Sequence, residues 1–202
     1  MADNAIEVQK LYVAYFGRPA DPAGLQYWTN LLGTEGMTLD DVARSFAASA
    51  EYRDTYANLD NRAVVTAVYE NLFGRPAEAA GVDYWSDLLQ AGHIKIDDMV
   101  TDIAEAARGS DDLVFNGKVA VASLFTSRVD QLNEISAYTG GKANDIATEF
   151  IATVREPKDI LDALKPDVID AWIGRITDGH SLATGEVALV GVASATEPLP
   201  VF

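Results

Sequence analysis

The chain has 202 residues, about half of them apolar, with 15 Lys and Arg against 31 Asp and Glu, for a formal net charge of −16. That composition supports a folded core and excludes a highly charged disordered chain, while its sign excludes nucleic acid and bare anionic membrane as partners. With no cysteine in the sequence, disulfides, thiolate zinc sites and cysteine nucleophiles are excluded as well.

The opening residues Met1 to Glu7 lack the basic region and apolar stretch of a secretory signal. No apolar run approaches the ~20 residues needed to span a bilayer, so no transmembrane segment is expected. From residue 4 to 16, Ile6, Leu11, Val13, Ala14 and Phe16 recur at helical spacing. Gly17 follows where a helix ends in the left-handed conformation, and Pro19 stops it. Asp21 before Pro22 then reads as an N-cap with proline at the first helical position. The second helix runs to about Leu32, with Leu25, Trp28 and Leu32 on one stripe. A third starts at Thr38, with Asp41 completing a capping box, and buries Leu39, Val42 and Phe46.

The pattern then repeats. Residues 68 to 89 align without a gap on residues 11 to 32 at an offset of 57, with twelve identities in 22 positions. They include Tyr12/Tyr69, Phe16/Phe73, Gly17/Gly74, Arg18/Arg75, Pro19/Pro76, Gly24/Gly81, Tyr27/Tyr84 and Trp28/Trp85. Glu78 replaces Asp21, keeping negative charge at the helix start, and Ile96, Met99 and Ile103 repeat the third helix. The expectation is an all-α fold with a tandem-repeat domain over 1–139. Copy one covers about 5–57, copy two about 62–110, and a closing helix 113–139. A helical C-terminal part follows over 140–177, interrupted at Pro157 and restarting at Pro166. Residues 178–202, rich in glycine and small residues, read as an extended tail or linker.

The string Tyr-x-x-x-Phe-Gly-Arg-Pro-Ala-Asp-x-x-Gly-x-x-Tyr-Trp resembles a bacterial extracellular family known only as a domain of unknown function, found in surface-layer and RTX-type secreted proteins. Residues 117–129, GKVAVASLFTSRV, look like the helix that closes that domain. The Gly-Arg-Pro turn also resembles the helical, non-catalytic phycobilisome linker domains. The surface-layer resemblance covers roughly residues 5–130. It implies an extracellular all-α module on the outer surface of a Gram-negative bacterium, exported by type I secretion. It further implies a role similar to that of regions that anchor a surface layer to lipopolysaccharide. The Gly-Gly-x-Gly-x-Asp calcium repeats that build such lattices do not occur here, so the chain reads as the anchoring part of something longer.

The candidate site residues follow from chemistry. Tyr27-Trp28 and Tyr84-Trp85 offer aromatic faces on which sugar rings stack. Neighbouring helical residues point about 100° apart, so the expectation is Trp in the core and Tyr at its edge. The bland alternative places both rings wholly in the core. Arg18 and Arg75 either grip an anionic sugar or serve internally, bonding helix carbonyls or Asp21 and Glu78. Asp97, Asp98, Asp111 and Asp112 either join calcium sites or place charge at helix N-termini. His93 and His180 fall in no ligand-spaced cluster, and no nucleophile elbow or phosphate-binding glycine loop occurs, so catalysis is not expected. The functional expectation is a non-catalytic cell-surface module binding lipopolysaccharide O-antigen. The alternative is a structural module that self-assembles, as a homo-oligomer or lattice, or contacts another protein.

Overall fold

The computed structural model describes residues 2–34, 36–56 and 58–191. Among them the chain is all-α, with twelve helices and no strand. Copy one supplies α1 (Ala2–Phe16), α2 (Pro22–Thr34) and α3 (Leu39–Ala47), followed by a short α4 (Ala50–Tyr56) that the sequence reading lacks. Copy two supplies α5 (Asn61–Phe73), α6 (Ala79–Gln90) and α7 (Ile96–Ala106). The remainder is α8 (Ser110–Arg128), α9 (Leu132–Ala137), α10 (Gly141–Ala152), α11 (Pro157–Ala163) and α12 (Pro166–Gly191).

Local chemistry sets the boundaries. Gly17 and Gly74 have φ of 64° and 66°, the left-handed region that glycine enters at least cost. Their N–H groups donate back to the Val13 and Glu70 carbonyls and close α1 and α5. The Asp21 side chain caps α2 by accepting from Gly24 N–H at 2.7 Å, whereas Glu78 makes no such cap for α6. The Thr38–Asp41 capping box forms as expected. Val42 and Phe46 of α3 are buried, but Leu39 is exposed.

Equivalent helices pack on each other, α1 on α5 and α3 on α7. Helix α2 packs on α1 and α6 on α5, while α8 lies against both α1 and α5. The core runs through Val8, Tyr12, Val65, Val68, Met99, Ile103, Phe125 and Phe150. Helix α8 also ties down both Gly-Arg-Pro turns. Its buried Lys118 donates to the Glu70 and Asn71 carbonyls at 3.1 and 2.7 Å, satisfying the C-terminal end of α5. Its Thr126 hydroxyl donates to the Ala20 carbonyl at 2.7 Å.

Two expectations change. The closing helix is not continuous over 113–139, because it ends at Arg128 and α9 begins only at Leu132. Apolar periodicity crosses the break, but Leu132 and Ile135 on its far side are exposed, so that pattern did not report burial. The extended tail does not begin at 178 either, since α12 remains helical through Gly191. Residues 192–202 of that expected tail lie outside the described residues.

Candidate functional site: two aromatic faces and their arginine turns

Both tyrosines of the repeated Tyr-Trp pair point outward. Tyr27 is 57% exposed and Tyr84 58%, while Trp28 and Trp85 are partly buried against the core. In each copy the tyrosine sits on the tryptophan edge, with ring centroids 4.9 Å apart at 79° in α2 and 5.0 Å apart at 74° in α6. Such edge-to-face contacts hold the exposed ring in place without covering it. In copy one Tyr12 is buried, and burial raises its pKa. Gly24 makes room for the Tyr12 hydroxyl, since a Cβ there would lie 2.3 Å from it.

The two arginines turn inward. Arg18 is buried, with Nε donating to Glu51 Oε1 at 2.6 Å and Nη2 to Oε2 at 2.8 Å. Its Nη1 donates to the Pro19 carbonyl at 3.0 Å and stands 3.9 Å from Asp21. Burial alone would lower the pKa of this guanidinium, but the Glu51 hydrogen bonds outweigh it and the net shift is upward. Arg75 repeats the arrangement with Asp111 at 2.8 and 2.6 Å, the Pro76 carbonyl at 3.0 Å and Glu78 at 2.8 Å. These internal partners account for the guanidinium chemistry of both turns.

The copies differ in what covers the turn. In copy one, Tyr138 at the end of α9 donates its hydroxyl to the Pro19 carbonyl at 2.5 Å and sets its ring beside Arg18. In copy two Arg75 stays partly exposed, and with Trp85, Glu78 and Asp111 it lines a cleft of about 270 Å³.

The acidic candidates divide in the same way. Both Asp111 oxygens accept from Arg75, and Asp112 accepts from Asn116 at 2.8 Å. Asp97 and Asp98 lie in the first turn of α7, where negative charge favours the helix dipole. Among the described residues no group of three or more His, Asp or Glu is placed to hold a metal ion. His93 is exposed in the turn after α6, and the side chain of His180 lies outside the described residues.

Sequence reasoning missed the polar residues flanking each tyrosine. They are Gln26 and Asn30 on α2, and Asp83 and Asp87 on α6. Aligning the copies at their offset would have found them, because these positions change from amide to carboxylate while the tyrosine stays.

No curated protein and no solved structure matches the chain. A family model does match, that of a domain of unknown function (DUF4214), over residues 3–55 and again over 43–108. The first match spans α1 to α4, and the second runs to the end of α7. Together they cover just over half of the 202 residues, and the chain belongs to the DUF4214 family.

Proposed function

We propose that this chain is a non-catalytic module of the outer surface of a Gram-negative bacterium, which binds lipopolysaccharide O-antigen and so anchors a surface layer. The observation that carries the reading is the display of one exposed tyrosine face twice, at equivalent positions of two copies. Folding by itself gives no reason to leave a large aromatic ring in water at both places, and aromatic faces are what sugar rings stack on. A polymer of repeating sugars suits a repeated site, because the second contact forms at the effective concentration set by the first. Arg18 and Arg75, already bonded internally, are not part of the contact set. Calcium enters this reading as a bridge between anionic sugar substituents and the acidic surface, whose net charge is −16.

The test is binding to lipopolysaccharide by the unaltered chain, by Tyr27→Ala, by Tyr84→Ala and by the double variant, each with and without a chelator. Loss in the folded double variant supports the reading, and undiminished binding removes these tyrosines from the site. A second reading, self-assembly, is favoured by Leu132 and Leu161, which are 88% and 74% exposed. Failure to bind lipopolysaccharide, together with concentration-dependent self-association in sedimentation, would decide for it.

A further inference from the structure

We propose that the two tyrosine faces differ in ligand charge. The α2 face discriminates less between neutral and anionic sugar rings, whereas Asp83 and Asp87 make the α6 face select against anionic ones. The proposal rests on the glycan-binding reading above and assigns each copy its own sugar class.

The exposed stripe of α2 carries Ala23, Gln26, Tyr27 and Asn30, all on one helix surface at spacings of three and four residues. The equivalent exposed stripe of α6 carries Ala80, Asp83, Tyr84 and Asp87. The alanine and the tyrosine are the same in both, so the stacking platform is shared. Only the two polar flanks change, and both change in the same sense.

That change has a definite chemical meaning. An amide side chain both donates and accepts hydrogen bonds, which suits sugar hydroxyls without any requirement on charge. A carboxylate only accepts, so it still pairs with hydroxyl donors but repels a ring that carries its own carboxylate or phosphate. Arg62 offsets part of the charge on α6 by donating to Asp83 at 2.5 Å. Both partners are more than half exposed, so water screens the pair, and the face keeps a net negative charge through Asp87. In copy one the residue equivalent to Arg62 is Ala5, and the α2 stripe carries no charge in this set.

The experiment uses the whole chain, labelled with 15N. It is titrated separately with maltohexaose and with hexagalacturonate, probes of equal length of which the first is neutral and the second anionic. Chelator is present and salt is low, about 20 mM, where the Debye length exceeds the dimensions of the stripe. Amide signals of α2 and α6 then report the two faces independently. The net charge of −16 weakens the anionic probe at both faces, so the comparison is between the anionic-to-neutral ratio of dissociation constants at α6 and that at α2. That ratio should be about tenfold larger at α6 than at α2. That gap should close at about 0.5 M salt, and also in the Asp83→Asn, Asp87→Asn variant. Equal ratios at both helices, or a gap that survives the double substitution, would overturn the proposal. Silence at both helices also overturns it. If lipopolysaccharide nevertheless binds, the proposed function stands without it, and if lipopolysaccharide does not bind, both fall.

Discussion

The guanidinium of Arg18 meets the carboxylate of Glu51 across 33 residues of sequence in a two-pronged pair, with Nε at 2.6 Å and Nη2 at 2.8 Å. Arg75 and Asp111 reproduce it across 36 residues, but the Arg18 side chain is 5% exposed and that of Arg75 is 34%. Removing Arg18 breaks the pair and also empties the buried space where its guanidinium packs on Tyr12, Phe16 and Tyr138, while the Arg75 guanidinium is partly solvated and its pair is screened. Arg18→Ala is therefore expected to cost about 3 kcal/mol and Arg75→Ala about 1 kcal/mol. Urea unfolding of both variants checks this, and equal losses would contradict it.

Gly24 and Gly81 are the same residue of the same motif with different surroundings. A Cβ at Gly24 would lie 2.3 Å from the Tyr12 hydroxyl, whereas at Gly81 the Tyr69 hydroxyl is 3.5 Å away. Tyr12 is buried and cannot step aside freely. Gly24→Ala is expected to destabilise by about 1–3 kcal/mol through overpacking. Gly81→Ala keeps ordinary contact and gains up to about 1 kcal/mol of helix propensity. Thermal unfolding of the pair should show opposite signs.

What the sequence disclosed and what it withheld divide by the range of the interaction. The turn glycines, the Asp21 cap and the Thr38–Asp41 box were legible because each is decided within a few residues. The arginine partners were not, because Glu51 and Asp111 come from later helices. Sequence proximity suggested Asp21 and Glu78, which do lie near the guanidiniums at 3.9 and 2.8 Å. In both copies, however, the two-pronged carboxylate is the distant one. Helix α4 escaped notice although it buries Tyr52 and Tyr56. Helical angles said only that the two rings of each pair diverge, and the packing decides that Trp28 and Trp85 face the core while Tyr27 and Tyr84 face solvent. The charge difference between the two faces lay in the aligned copies but gained meaning only once Gln26, Asn30, Asp83 and Asp87 proved exposed.

Gly17 and Gly74 share a left-handed backbone, so any side chain is strained at either, by about 1–2 kcal/mol per residue. Their neighbours differ. A Cβ at Gly17 would meet the Asn71 side-chain oxygen at 3.0 Å, but at Gly74 it would meet the Arg155 Cα at 2.7 Å. A side chain can turn away, whereas the backbone between α10 and α11 must move as a unit. Gly74→Ala should therefore cost more than Gly17→Ala and should disturb the amide signals of residues 154–156. Equal costs with no change at 154–156 would refute the close approach.

Lys118 makes the stability of this protein depend on alkaline pH in an unusual direction. Burial pushes its ammonium down to about 8, against a weaker upward pull from Glu70 and a further downward push from Arg155. In the unfolded chain the lysine titrates near its ordinary value of 10.5. Below pH 8 both states carry the proton, and the folded state bears the full cost of desolvating it. Between pH 8 and 10.5 the folded state releases the proton while the unfolded state keeps it. The unfolded state then binds more protons, and stability rises with pH. The tyrosines set the upper limit. Burial raises Tyr15 and Tyr56 to about 12, and Tyr12, Tyr52 and Tyr138 also shift upward. Their unfolded forms ionise from pH 10 onward while the folded forms stay protonated, so stability falls above that point. Urea midpoints measured at pH 7, 8, 9 and 10 should climb over the last two steps and drop beyond them. Lys118→Met removes the titrating group and should flatten the climb while leaving the tyrosine decline in place. A climb that persists in Lys118→Met would show that another group carries it.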